Sequence, residues 1–193
     1  MGRPSVKGER QEQILEAYES CVARFGVEGA TLEKIAQEAN LARPLIRHHV
    51  GNRQELLAAL ADRYVRKSNE IVTAMLASLP NSRACDQLLT WLFETPATDS
   101  KMVLVAEALI AASQSDPALA QKMRRHTRGF VNEFAKFFKS EFPRADSVQV
   151  QAVATGVVGI YFNVESLVPL GNMRDVREAS HKAANALVDS LRA

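Results

Sequence analysis

The stretch TLEKIAQEANLARPLIRHHVGNRQEL, residues Thr31 to Leu56, decides how the whole chain is read. It divides into two short helices around a tight turn, with a third helix starting just beyond. Thr31 suits an N-cap, because its hydroxyl can accept from an orphan N–H of the first turn. Leu32, Ile35, Ala36 and Ala39 then share one helical face. Asn40 tolerates the left-handed conformation that stops a helix sharply. A second helix is expected from Ala42 to His49. Pro44 is compatible with its first turn, where N–H groups have no intrahelical partner. Leu45 and Ile46 are expected to pack inward, which leaves Arg43, Arg47 and His48 pointing out. Two helices crossing steeply through a short turn, the second carrying exposed donors, describe a helix-turn-helix that reads a DNA major groove.

The flanking residues extend the pattern. Phe25-Gly26, Gly29-Ala30-Thr31, Ile35-Ala36, Ala39, His48-His49-Val50 and Asn52-Arg53-Gln54-Glu55-Leu56-Leu57 follow one another in unbroken register. On these residues, positions 10 to 60 resemble the N-terminal domain of the TetR family of bacterial transcriptional regulators. Pro44 stands where that family usually has glycine, Arg47 and His48 where it has aromatics, Val50 where it has phenylalanine, and Arg53 where it has lysine. The resemblance implies a dimer formed through the last two helices and a C-terminal half that encloses a small-molecule cavity. It also implies that His48 faces the DNA backbone, that His49 is partly structural, and that Arg53 takes the place of a phosphate-binding lysine.

The residues support a DNA-facing set independently. Asn52 caps the next helix, with Glu55 three positions on, close to a capping box. That helix start offers free amides and a positive dipole end to an anion, and Arg53 adds a guanidinium. Arg43 and Arg47 are candidates for base edges or nearby phosphates, since a guanidinium can address guanine O6 and N7 together. Thr31, His48 and Arg53 are candidates for phosphates. Pro44 lies among them on the same short helix and is counted with the DNA-facing residues.

Composition sets the outer bounds. The 193 residues allow one or two domains with a substantial core, and 47% hydrophobic with 24% charged is ordinary for a soluble globular chain. The net charge of +2 is small, so the placement of charge, not its amount, must carry any nucleic-acid argument. The two cysteines, Cys21 and Cys85, sit in apolar helical context and read as core thiols of a reduced cytoplasm. No membrane-spanning run and no secretory segment is apparent. Met1-Gly2 opens like an acylation signal, but position six is Val6 rather than Ser or Thr.

Read in order, residues 1–8 form a mobile arm in which Arg3 beside Pro4 could enter a minor groove, the plainer reading being a solvated tail. Residues 9–56 form the helix-turn-helix domain, opened by an amphipathic helix over Ile14, Tyr18, Cys21, Val22 and Phe25. Residues 57–193 form a helical effector-binding and dimerisation domain. The helix capped by Asn52 is expected to run to about Leu79 and so to join the two domains without a flexible linker. Pro80-Asn81-Ser82 and Thr95-Pro96 are breaks, Asp116-Pro117 starts a long helix, and Pro143 ends it. The basic residues Lys122, Arg124, Arg125 and Arg128 on that helix read as a solvated face.

In the last two helices, Val153, Val157, Ile160 and Val164 on one and Ala179, Ala183 and Leu187 on the other form stripes suited to a four-helix bundle between two subunits. Gly156 and Gly159 point to close helix-on-helix contact. Burial within one subunit would give the same periodicity, so the pattern leaves both open. Trp91, Phe93, Met102, Phe130, Phe134, Tyr161 and Phe162 could line a cavity, with Glu107 and Asn163 as polar anchors, although each is also plausible as plain core. Such a lining favours an apolar or aromatic ligand.

There are no strand signals, no internal repeat, no glycine-rich phosphate loop and no metal-ligand spacing; adjacent His48 and His49 point about 100° apart on a helix. No cofactor is implied and no nucleophile–base pair is visible. The expectation is an all-α, cytoplasmic, non-enzymatic regulator. It would bind a palindromic double-stranded operator as a homodimer, as a repressor released when a small-molecule effector shifts the subunits away from successive major grooves, about 34–36 Å apart. The rival from another class is a helical carrier or enzyme with an incidental helix-turn-helix.

Overall fold

The computed structural model describes residues 6–94 and 101–192. Arg3 and Pro4 and the break expected at Thr95-Pro96 lie outside them. Among the described residues the regular elements are helices: α1 (Val6–Gly29), α2 (Leu32–Glu38), α3 (Arg43–Val50), α4 (Arg53–Ser78), α5 (Ala84–Phe93), α6 (Lys101–Ala112), α7 (Pro117–Glu141), α8 (Ser147–Ser166) and α9 (Arg174–Asp189), with one 3-10 turn at Val168–Leu170. They form two compact units. One takes the chain up to Ser68 together with Lys101–Met123; the other takes the segments that begin at Asn69 and at Arg124. The divisions fall inside α4 and α7.

The first unit is built on α1. Its stripe of Ile14, Tyr18, Cys21 and Val22 meets Ile35 and Ala36 of α2, Ile46 and Val50 of α3, Leu56 and Leu60 of α4, and Val105 and Leu109 of α6 in one buried cluster. Thus α6, apolar over most of its surface, shares the core of the helix-turn-helix. Phe25, expected to end the α1 stripe, is 46% exposed. Its ring lies under the Lys34 ammonium, 4.1 Å from the centroid, so its face meets a cation rather than the core. α1 is kinked at Gly26, whose φ of 69° is open to glycine at little cost.

A buried ionic network ties α4 to α1. Glu19 is almost wholly enclosed and accepts from Arg63 Nε at 2.8 Å and from Lys67 Nζ at 3.1 Å on each oxygen. Arg63 also pairs with Glu12. Every charge in this group has an aligned partner, which is the condition under which buried ions are tolerated.

The second unit packs Val72 and Met75 of α4, Leu88, Leu89, Leu92 and Phe93 of α5, Phe134 and Phe138 of α7, Val153, Ala154 and Val157 of α8, and Ala184, Val188 and Leu191 of α9 around one core. This corrects the interface stripe. Val153, Val157 and Val164 are buried in the subunit's own core and cannot meet a partner, while Ala179 and Ala183 are exposed. Ile160 and Leu187 are half-buried. The apolar periodicity marked the intramolecular side of the helices, and the outward side carries smaller residues. Gly156 does mark close contact: a Cβ there would lie 2.8 Å from Leu187 Cδ1. Gly159 faces nothing within 4 Å. By length and composition α8 could cross a membrane; here its valine side packs into the second core.

Replacing Glu19 by alanine leaves the buried Arg63 with Glu12 as its remaining partner and is expected to cost about 1.5–3 kcal/mol. Chemical denaturation compared with the parent chain measures this, and a loss below about 1 kcal/mol contradicts it.

Candidate nucleic-acid interface

The turn between α2 and α3 is held by backbone geometry. Thr31 Oγ1 accepts from the Lys34 N–H at 3.4 Å and caps α2. At the other end Asn40, with φ 51°, takes the left-handed conformation. The Asn40 N–H then reaches Gln37 O at 3.1 Å and the Leu41 N–H reaches Ala36 O at 2.9 Å, the paired bonds of a Schellman motif. Gln13 Nε2 of α1 donates to Ala39 O at 2.8 Å, so the turn is also tied to the scaffold helix.

α3 is eight residues long and buries only Ile46 and Val50. Leu45, expected inward, is 42% exposed. On so short a helix the inward side is the i, i+4 pair of Ile46 and Val50, and Leu45 sits about 100° away from Ile46. The outer surface therefore consists of Arg43, Pro44, Leu45, Arg47 and His48, all exposed. Leu45 is the residue that periodicity missed; its signal was the second apolar side chain on a helix with room for one narrow stripe.

The cations on this surface differ in how they are held. Arg43 Nη1 pairs with Glu33 Oε1 across the turn at 2.5 Å. A hydrogen bond from its own backbone N–H, and then the Arg43 guanidinium, hold the Glu33 carboxyl below its usual range. Arg53 Nη2 donates to Val27 O at 2.9 Å and to Glu28 Oε2 at 3.0 Å. Arg47 makes no ion pair or side-chain hydrogen bond among the described residues, so its guanidinium is available to an external acceptor. His48 stacks edge-on against His49, centroids 5.1 Å apart, and the His49 Nδ1 is buried without a hydrogen-bond partner.

The start of α4 closes the surface. Asn52 Oδ1 accepts from the Glu55 N–H at 3.0 Å, and the Asn52 N–H donates to Glu55 Oε2 at 2.8 Å. This is the reciprocal capping box expected from the sequence. Gly51, at φ 77°, leaves room for it: a Cβ there would lie 2.0 Å from Glu55 Oε2.

Residues 14–60 match the family model described as bacterial regulatory proteins, tetR family. The chain carries a helix-turn-helix domain of the TetR type over those residues. It is a DNA-binding transcriptional regulator. The HTH-type transcriptional regulator BetI of Vibrio vulnificus is 24% identical over 165 residues, spanning 83% of this chain and 82% of that protein. Among solved structures, a TetR-family regulator from Cytophaga hutchinsonii superposes with a TM-score of 0.79 at 14% identity, covering 98% of each chain. A transcriptional regulator from Saccharomonospora viridis, in complex with choline, superposes with a TM-score of 0.76 at 16% identity, covering 94% of this chain and 96% of that one. These relatives are regulators rather than enzymes.

The residues expected to line a cavity are partly brought together. Phe93 and Phe134 are buried in the second core, with Phe130 and Tyr161 packed against it. Phe130 stacks on Phe134 with centroids 5.3 Å apart, and Tyr161 meets Phe93 edge-on at 6.4 Å. Phe162 is half-buried. Trp91 is 38% exposed and Asn163 is exposed, so neither is enclosed. Met102 and Glu107 are half-buried on α6, in the first unit. Glu165, which the sequence reading passed over, is 1% exposed. It is the one charged residue between positions 147 and 173, and that isolation in an apolar helix was the available signal.

Replacing Arg47 by alanine is expected to weaken operator binding by about 1–3 kcal/mol; an unchanged dissociation constant at fixed salt would contradict this. Replacing Glu55 by alanine removes half of the reciprocal cap and should lower stability by about 1 kcal/mol, read from the thermal midpoint.

Proposed function

We propose that the chain is a cytoplasmic repressor that binds a palindromic DNA operator as a homodimer and is released by a small ligand. The observation that carries the DNA part is the outer surface of α3, where Arg47 is exposed with no internal partner beside exposed His48. Arg43 and Arg47 address base edges or the phosphates beside them, Pro44 packs along the groove, and Thr31, His48 and Arg53 meet phosphates. The Arg53–Glu28 and Arg43–Glu33 pairs are exposed, and exposed pairs exchange for a phosphate at little cost.

The dimer reading is supported by the outward faces of α8 and α9. Ala152, Thr155 and Gly159 on α8 and Ala179, Ala183 and Ala186 on α9 are small and exposed, on helices that pack against each other within the subunit. Small side chains allow the close approach that a helix bundle between two copies requires. The effector reading is supported by the aromatic gathering of Phe93, Phe130, Phe134 and Tyr161 in the second unit, which suits an apolar or aromatic ligand. The likeness to a regulator solved with choline supports a small-molecule effector in general. Release follows if the ligand favours a subunit arrangement whose two α3 helices no longer match successive major grooves.

Selection of bound sequences from random duplex DNA, with the mass of the complex determined alongside, tests this directly. A palindromic motif held by a dimer or a pair of dimers is the expected result. Weak binding with no motif and a steep salt dependence overturns the operator reading. Gly159→Arg is expected to yield a monomer by light scattering and to weaken operator binding with it; a dimer that survives the substitution places the interface elsewhere.

A further inference from the structure

Two glutamates are almost wholly buried among the described residues, Glu19 and Glu165, and they are treated very differently. Glu19 accepts aligned hydrogen bonds from Arg63 and Lys67. Neither oxygen of Glu165 accepts any. Arg177 Nη1 comes within 2.9 Å of Glu165 Oε1, but out of hydrogen-bonding line, so that nitrogen is also left without an acceptor. A carboxylate removed from water with no aligned donor is a costly arrangement that packing alone does not account for.

The surroundings indicate what would satisfy it. Tyr161 lies one helical turn before Glu165 on α8, and His181 lies one turn after Arg177 on α9. Phe93 of α5 stands between those two rings, edge-on to Tyr161 at 6.4 Å and stacked on His181 at 5.6 Å. His181 Nδ1 in turn is 3.2 Å from Glu94 Oε1. The Glu165–Arg177 contact sets the two helices in register, so a ring cluster and an underused carboxylate sit about 5–6 Å apart along the helix axes. All of these residues belong to the second unit.

Aromatic faces beside a desolvated carboxylate recognise organic cations. A hard metal ion would need several oxygen ligands, and no group of three potential ligands occurs among the described residues. We infer that Glu165, with the rings of Phe93, Tyr161 and His181, forms a site for a small organic cation, and that the Arg177 guanidinium is the internal cation which the ligand displaces. Arg177 suits that part: its side chain is 23% exposed and its contact with Glu165 is misaligned, so it can turn to solvent when replaced. The inference rests on the second unit being the effector-binding part of the regulator, and it supplies the charge of the effector.

Calorimetric titration of the full chain with choline, with butylammonium and with 3,3-dimethylbutan-1-ol, the neutral isostere of choline, tests it. One of the two cations is expected to bind at least ten-fold more tightly than the alcohol. Choline as the better ligand indicates a quaternary ammonium, and butylammonium a protonated amine that donates to Glu165. Glu165→Gln should weaken the cation at least ten-fold, whereas Arg177→Gln should strengthen it several-fold by removing the competitor. A pair with a purely structural role would lose binding in both variants. Equal binding of the alcohol, no binding of either cation, or weakening by Arg177→Gln overturns the inference. The last two measurements hold even if Glu165→Gln fails to fold. Operator release is read separately. Cation binding that depends on Glu165 but leaves the DNA complex intact keeps the site and removes the effector reading. Release by a neutral aromatic compound alone does the reverse.

Discussion

The direction in which α3 faces rests on one residue in the left-handed region. Asn40 at φ 51° turns the chain so that two N–H groups close back onto the end of α2. A right-handed residue there would continue α2 and carry Arg47 and His48 away from their common outward surface. The Gln13 bond to Ala39 O fixes that turn to α1. Ile46 and Val50 then bury the inner side of α3 against the same scaffold. With two buried side chains, α3 is too short to be stable alone, and its orientation is a property of the cluster it joins.

The same scaffold explains why α1 and α4 carry charge into their contact. Glu19, Arg63 and Lys67 form a closed set in which each group meets an aligned partner. Hydrophobic residues would hold the helices together equally well, but they would not define one relative rotation, as directional bonds do. Around Glu165 the corresponding set is open. Within one chain, then, one buried carboxylate is satisfied by aligned donors and the other is not.

Local chemistry made the helix-turn-helix legible. The Thr31 cap, the Asn40 turn and the Asn52–Glu55 box each depend on residues within a few positions, so their geometry follows from the residue types. The exposure of Leu45 was not legible, because a helix with two apolar neighbours does not say which faces the core. In α8 and α9 the apolar period was correct, but its destination was ambiguous. Val153, Val157 and Val164 fill the subunit's own core, and the stripe of small residues around Ala183 is left outside. Periodicity identifies an apolar side; it carries no label for the surface that will cover it.

From the residues alone came the helical class, the helix-turn-helix, the family likeness and the cations on the recognition helix, since all of these rest on short-range spacing and capping. Packing between distant segments settled the rest. It placed α6 in the core of the DNA-reading unit, turned the valine stripe of α8 inward, and put Glu165 beside Arg177 and a ring cluster drawn from α5, α8 and α9. Most of those contacts join positions tens of residues apart, where the free energy depends on which surfaces meet and not on the order in which the side chains occur.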